Sequence, residues 1–340
     1  MRKFKIGIIG CGAIYKMHAG AISESDNLEI AAICDIDFEK AKKEAEKHSC
    51  LAFSDYKKMI DECELDSVHV LTPHYLHAEM SIYALKHGVN VLTEKPMAIS
   101  YADATEMVNT AKETKNTLGV IFQNRYNTAS RAVKEELESG KLGKILGASF
   151  NIFWCRDKEY YESGAWRGKW DTEGGGVLIN QSIHTLDITN WLINSELESV
   201  SASMANRSLK GVIEVEDEVS GLIKYKNGVS LSFFACNHAY PGSDVQIEVV
   251  CENGRAKICG SKADIIYKDG KTKHIEQDKN SNSVAGKDYW GSSHGIQIQH
   301  YYESLSKNET PEIDGAEALK TQKLMCAIYD SAKQNKTIIF

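Results

Sequence analysis

A chain of 340 residues, 42% hydrophobic and 26% charged, is longer than one compact core usually supports, so two domains are expected. No apolar run approaches the roughly 18 to 20 residues that cross a bilayer, and the basic start Met1-Arg2-Lys3-Phe4-Lys5 leads into one strand and a glycine cluster, which points to a cytoplasmic protein with no membrane partner. A net charge of −7 with 40 scattered basic residues disfavours nucleic acid, and nine Cys without a C-x-x-C pair fit reduced thiols better than disulfides or zinc.

The first third alternates short apolar runs with helical patterns, the signature of βα units on a parallel sheet. Residues 5–9 read as a buried strand, 13–23 as a helix, 28–34 as a second strand and 37–48 as a helix with a charged face. A strand at 68–71 precedes a helix at 75–86 that Gly88 closes, and a strand follows at 90–93. Ser100 and Asp103 cap a helix reaching about residue 115, and 118–122 is the last strand of a doubly wound domain spanning 1–122. Beyond it, over 123–340, Asn227-Gly228, Asn253-Gly254 and Asp269-Gly270 each signal a hairpin, so the second domain is α+β with a largely antiparallel sheet. Helices at 127–139 and 177–193 interrupt that sheet, 279–287 reads as a polar loop, and helical patterns at 292–306 and 315–333 close the chain. Ile296, Tyr301 and Leu305 form a core stripe on the first of these, and His69, inside an apolar strand, reads as a satisfied interior histidine.

The segment Gly10-Cys11-Gly12-Ala13-Ile14-Tyr15 follows a strand and opens a helix. Glycines at its first two positions let the backbone turn sharply and approach a pyrophosphate, whose charge is met by N–H groups at the helix start. Asp35, about 25 residues on, ends the second strand, where a carboxylate accepts hydrogen bonds from ribose hydroxyls. Taken alone the Gly-x-Gly is equally an ordinary strand-to-helix turn; strand, helix and acid together read as a dinucleotide site. Tyr15 stands where a third small residue usually permits close helix-sheet packing. Asp35-Ile36-Asp37 opposes a 2′-phosphate, so NAD is favoured over NADP, with Lys40 and Lys42 as the opposing cations.

Thr72-Pro73 with His77, and Glu94-Lys95-Pro96, follow successive strands and so lie at the carboxyl edge, where doubly wound sheets bind ligands. The residue before a proline is held extended, so Lys95 projects from a rigid turn, where it can hold a substrate hydroxyl and favour its alkoxide. On spacing alone, a surface lysine paired with Glu94 is the simpler reading. Gln123 and Asn124, after the last strand, suit contacts to the nicotinamide ribose. The pairs His74 with His77 and His294 with His300 suggest no metal site, because no Cys or carboxylate completes a set.

Gly10-Cys11-Gly12 with His18, Thr72-Pro73 with His77, Glu94-Lys95-Pro96, and Gly174-Gly175-Gly176 through His184 and Asp187 together resemble the glucose-fructose oxidoreductase and inositol dehydrogenase (Gfo/Idh/MocA) family over essentially the whole chain. The resemblance implies an N-terminal Rossmann domain, a second domain with an open sheet that often joins subunits into a homodimer or homotetramer, and hydride transfer between NAD and a sugar or polyol carbinol. By the same resemblance, Lys95 holds the substrate hydroxyl and His184 does acid-base work. Many members carry Asp four residues before that histidine; here it is Asn180, which can orient a substrate or the imidazole but cannot stabilise an imidazolium. Asp187 reads as structural. Asn180-Gln181-Ser182-Ile183-His184, Trp166-Arg167-Gly168 and a strand Glu214-Val215-Glu216-Asp217 look more like the branch oxidising C3 of UDP-N-acetylhexosamine-type sugars than the inositol branch. A nucleotide-sugar diphosphate would need cations, for which Arg125, Arg156, Arg167 and Lys169 are candidates, and Trp154, Trp166 and Trp170 are candidates to stack on the ligand, although each also has a plain packing or surface reading.

Overall fold

The computed structural model describes residues 3–276 and 293–340; the polar stretch 279–287 and Ser292 lie outside the described residues. They form two compact units, one of residues 3–123 with 293–322 and one of 124–276 with 323–340. A single cut after residue 122 therefore misses one feature of the chain: having entered the second unit, it returns to the first.

The first unit runs β1 (Phe4–Ile9), α1 (Tyr15–Ser23), β2 (Leu28–Cys34), α2 (Phe38–His48), β3 (Leu51–Phe53), α3 (Tyr56–Glu62), β4 (Ser67–Val70), α4 (His77–Lys86), β5 (Asn90–Thr93), α5 (Tyr101–Thr114) and β6 (Leu118–Val120). The strands form one parallel sheet in the order β3-β2-β1-β4-β5-β6. The near-continuous apolar runs of β1, β2 and β5 are what a sheet covered on both faces requires. Caps set the helix starts: the Asp37 side chain accepts the Lys40 N–H, and the Ser100 hydroxyl accepts the Asp103 N–H. Strand β3 and helix α3 have no counterpart in the sequence reading, because a three-residue, largely uncovered edge strand and a seven-residue helix are too short to show a period.

The second unit contains α6 (Thr128–Glu138), β7 (Ile145–Phe153), α7 (Lys158–Glu162), α8 (Ile183–Ile193), β8 (Leu197–Ala205), β9 (Glu218–Tyr225), β10 (Ser230–Cys236), β11 (Gln246–Cys251), β12 (Gly254–Cys259), β13 (Lys262–Tyr267) and β14 (Thr272–Ile275). After α9 (His294–Lys307) and α10 (Gly315–Gln334), the terminal β15 (Ile338–Ile339) completes a nine-stranded sheet ordered β14-β13-β12-β11-β7-β10-β9-β8-β15. All three expected hairpins are present, and among the described strands of this nine-stranded sheet only β7 and β10 pair in parallel.

Two expectations fail for one reason. Glu214–Asp217 is a bend, not a strand, and the helix expected from 177 begins as a π-helical turn at Val177–Ser182 that becomes α8. The buried Glu216 carboxylate accepts the Gly176 and Leu178 N–H groups at 2.9 and 3.0 Å, and the Tyr329 hydroxyl donates to it at 2.9 Å while accepting the Ile179 N–H. Those partners satisfy the amides that a regular helix start would leave open, and they hold the bend away from any strand ladder. Burial pushes the Glu216 carboxyl up to about 7 despite these donors.

Helix α9 belongs to the first unit and packs on α1. Its inward stripe is His294, Gln297, Ile298, Tyr301 and Tyr302, with Leu305 partly buried against the core, whereas Ile296 is 41% exposed. The stripe is thus rotated from the apolar pattern, because Gln297 faces inward to serve the Val120 carbonyl and the Phe122 N–H.

Gly176 can have no side chain without rearrangement, since a Cβ there would lie 1.8 Å from the Glu216 carbonyl oxygen. Gly176→Ala is expected to cost roughly 1–3 kcal/mol, read as a lower denaturant midpoint for the protein; an unchanged midpoint would show that this contact does not constrain the π-helical turn.

Candidate active site

The glycine turn in the first unit has the shape a dinucleotide needs. Gly10 has φ +103°, and a Cβ there would sit 2.8 Å from the Leu71 carbonyl oxygen, so only glycine fits without strain. Gly12 has nothing within 4 Å on its Cβ side, which leaves room for a ligand in front of Ala13, Ile14 and the start of α1. Asp35 accepts the Cys11 N–H at 2.7 Å and the Asp37 N–H at 3.0 Å, which locks its carboxylate beside the turn; the Lys40 ammonium is 3.9 Å away and Ile36 is fully in solvent. At the sheet's carboxyl edge the Thr72 hydroxyl is buried with no hydrogen-bond partner among the described residues. This cradle and acid fit NAD: Gly10, Gly12 and Asp35 would hold its adenosine side. Tyr15, in place of a third small residue, is buried in the core of the unit. Close helix-sheet approach is provided instead at Gly7, where a Cβ would meet Leu65 and Met59 below 3.0 Å.

Behind Lys95 lies a buried network. Glu94, 7% exposed, accepts His18 Nε2–H at 3.0 Å and His294 Nε2–H at 3.2 Å on one carboxylate oxygen, and the Lys95 backbone N–H at 3.2 Å on the other. Donor counting fixes the rest: a neutral His18 that donates from Nε2 must accept at Nδ1 from His69, 2.9 Å away, and His69 Nε2 then accepts from the Tyr302 hydroxyl at 2.8 Å. His69 is therefore the satisfied interior histidine the sequence suggests. Burial raises the Glu94 carboxyl, but the hydrogen bonds from His18 and His294 outweigh it and hold it well below the ordinary range. Burial lowers His18 despite Glu94, and burial followed by the His18 ring holds His69 well below its usual value. A carboxylate does lie beside one of the histidines considered from the sequence, in a grouping the sequence pairs did not include: side-chain N and O atoms of His18, Glu94 and His294 all lie within 4.8 Å of one another. Sequence could not pair them, because His294 stands 200 residues from Glu94. His77, at the start of α4, has both ring nitrogens 2.7 Å from carbonyl oxygens, Nδ1 from Pro96 and Nε2 from Thr72. Gln123, at the end of the first segment of this unit, is buried, and Asn124 opens the second unit and is buried there.

In the second unit, His184 is half-buried at the second position of α8, and Asn180 lies one turn earlier in the π-helical segment. Asn180 Nδ2 donates to Glu173 at 2.6 Å and to the Tyr160 hydroxyl at 3.2 Å. That phenol oxygen also accepts Arg167 Nη1 at 2.7 Å and Gln181 Nε2 at 3.1 Å, so Tyr160 is the hub of the cluster. Burial raises the Tyr160 phenol even with Arg167 nearby. Arg167 stacks on Tyr160 and Trp166 at 4.5 Å from each ring centre, and Arg156 on Trp154 and Tyr160 at 5.0 Å. Arg167 also lies 3.9 Å from the buried Glu173 carboxylate, which offsets part of its charge; the two guanidinium groups flanked by three aromatic rings still suit an anion carried on a ring-bearing ligand. Arg125 does not belong to this group: it is 1% exposed and makes a two-pronged bond to Asp187, with Nε and Nη2 each at 2.7 Å. A buried carboxylate neutralises it, which gives Asp187 the structural role expected. Trp170 is a packing residue that donates to the Glu214 carbonyl and meets Tyr329 edge-on. Tyr160 and Glu173 escaped the sequence reading, since no spacing links a tyrosine on the short helix α7 to the later π-helical segment.

A doubly wound parallel sheet with this glycine turn and ribose acid, followed by a mixed-sheet unit, defines an NAD-binding oxidoreductase. Residues 4–122 match the model of the oxidoreductase family with an NAD-binding Rossmann fold, and residues 130–257 match the Gfo/Idh/MocA C-terminal domain. The chain belongs to the Gfo/Idh/MocA oxidoreductase family. It is similar to the WlbA dehydrogenase from Bordetella pertussis, solved with NADH and UDP-GlcNAcA, at 30% identity and TM-score 0.87 over 100% of this chain and 99% of that one. The Chromobacterium violaceum WlbA structure, solved with the same two ligands, matches at 30% identity and TM-score 0.86 over 100% and 96% of the two chains. The glucose-6-phosphate 3-dehydrogenase of Bacillus subtilis (strain 168) is 30% identical over 245 residues, 68% of each chain.

The depressed histidines fix a pH dependence. A folded value below the unfolded 6.5 means that the unfolded chain binds protons the native state refuses, so stability is present above about 6.5 and is lost as pH falls below it. Urea midpoints should therefore drop between pH 7 and 5, by up to about 1.4 kcal/mol per pH unit for each such histidine, and His69→Gln should flatten the slope. A wild-type midpoint level across that range would contradict the network.

Proposed function

We propose that the protein oxidises a secondary hydroxyl of a nucleotide sugar, the C3 hydroxyl of a UDP-N-acetylhexosamine-type substrate, using NAD. The observation that carries this reading is the pair of arginine-aromatic stacks, Arg156 with Trp154 and Arg167 with Trp166, joined through Tyr160. They supply fixed positive charge and flat apolar faces together, which a diphosphate or carboxylate beside sugar and base rings uses and a small neutral polyol does not. The 30% identity to a dehydrogenase crystallised with UDP-GlcNAcA, over the full chain, supports the same substrate class.

In this proposal Lys95 carries the proton chemistry. Glu94 holds its backbone N–H and Pro96 follows it, so the ammonium-bearing chain leaves a fixed turn. The uncharged amine takes the substrate hydroxyl proton, with His184 as the second acid-base group and Asn180 orienting the sugar. Bound in this cradle, NAD would supply the hydride acceptor for oxidation of the carbinol to a carbonyl. Thr72, Pro73, His77, Gln123 and Asn124 complete the nicotinamide side of the cofactor site in the proposal. The chain acts in the cytoplasm as a homodimer or homotetramer joined by the outward face of the nine-stranded sheet, where Leu222 and Val250 are 40% and 44% exposed. All nine cysteines are free thiols, which suits that compartment.

Lys95→Met should bind NAD as the wild type does, yet lose about 10²–10⁴-fold in kcat; retention of turnover would remove Lys95 from its role. Among UDP-N-acetylhexosamine-type sugars, free sugars and myo-inositol, kcat/KM should be highest for the first group. Higher values for free sugars or inositol would favour a sugar or polyol dehydrogenase, and NAD binding without turnover of any would favour a non-catalytic regulator. Light scattering should report two or four subunits; a monomer would refute the assembly.

A further inference from the structure

His77 sits between two acceptors. Its Nδ1 is 2.7 Å from the Pro96 carbonyl oxygen and its Nε2 is 2.7 Å from the Thr72 carbonyl oxygen. A carbonyl has no proton to give, so each contact is a hydrogen bond only if the imidazole nitrogen carries the hydrogen. A neutral ring has one N–H. It would leave a bare nitrogen lone pair 2.7 Å from a carbonyl lone pair, with the ring only 1% exposed. A further ring-to-backbone contact, His87 Nδ1 to the Tyr83 carbonyl at 2.7 Å, involves a single nitrogen of an exposed ring and needs no charge.

We infer that His77 is a buried imidazolium, a positioning residue whose two N–H groups staple the Thr72-Pro73 turn to the Lys95-Pro96 turn and whose fixed charge favours the uncharged amine of Lys95. The second half of this inference rests on the proposed role of Lys95; the first does not. The groups facing His77 are few. Burial is the largest influence and lowers the ring from its ordinary value; the Lys95 ammonium and the N-terminal end of α4 act in the same direction. The Glu94 carboxylate and the two carbonyls favour the charge, and the His74 ring lies 5.9 Å away. Glu94 stays ionised because His18 and His294 hold it, so the staple has a permanent counter-charge one residue from Lys95. Repulsion between His77 and Lys95 is mutual. If the staple keeps its proton, Lys95 gives up its own more readily, which is the form a base requires. The arrangement assigns roles to two histidines of similar burial: His69, with a histidine and a tyrosine as partners, is neutral, whereas His77, with two carbonyls, is charged.

Nitrogen-15 NMR of the histidine-labelled, NAD-bound protein reads the charge directly, with His77→Gln identifying the resonances by their loss. At pH 8 the His77 ring should show two protonated nitrogens. One protonated and one bare nitrogen at that pH would overturn the staple, and this measurement needs only the wild-type protein if the variant folds poorly and assignment is made through backbone couplings. The second readout is the kcat/KM-pH profile. His77→Gln retains one donor and no charge, so its ascending limb should move to higher pH by about one unit. A limb that stays in place while kcat falls uniformly would make His77 merely structural. Loss of the Lys95 role itself would appear separately, as turnover retained in Lys95→Met with the His77 ring still doubly protonated.

Discussion

The first unit depends on one buried carboxylate. Glu94 ends β5 with its charge out of water, an arrangement tolerated only when donors surround it. His18 from α1, His294 from α9 and the Lys95 amide meet that need, and in doing so they fix the turn from which Lys95 projects. The same contacts explain why the chain returns to this unit. α9 delivers His294 to Glu94, Gln297 to the end of β6 and Tyr302 to His69, so a segment from late in the sequence completes the interior behind the functional edge.

The second unit uses the device again with different parts. Glu216 accepts the Gly176 and Leu178 amides and the Tyr329 hydroxyl, and so winds the entry to α8 as a π-helical turn on which Asn180 and Gln181 sit before His184. A regular helix would rotate these side chains relative to His184 by changing the number of residues per turn. Gly175 and Gly176 are needed because Tyr329 and the Glu216 backbone approach within distances that exclude a Cβ. Buried carboxylates thus act in both units as templates for backbone geometry next to chemistry-bearing residues, and a protonated or missing template would displace those residues without touching them.

Local signals were legible where they were strong. The βα alternation, the Ser100 cap, the three Gly-containing hairpins and the glycine turn with Asp35 each depend on residues near one another in the chain. Lys95 and His184 were legible through the family resemblance, and His69 through its apolar strand. What was not legible depends on distant partners. Arg125 reads as a free cation until Asp187 is found against it, Glu214–Asp217 reads as a strand until its carboxylates are seen to bind other segments, and Ile296 reads as core until Gln297 is seen to be required inside.

By itself, the sequence determined the two-part architecture, the NAD-type turn and the candidate residues Lys95 and His184, because periodicity, turn propensity and glycine geometry act over a few residues. Tertiary structure alone decided the protonation pattern: which histidines are held neutral, which one faces two acceptors, and which arginines keep an outward charge. The reason is physical. A side chain's charge is set by its donors, acceptors and access to water, and those come from residues up to 200 positions away.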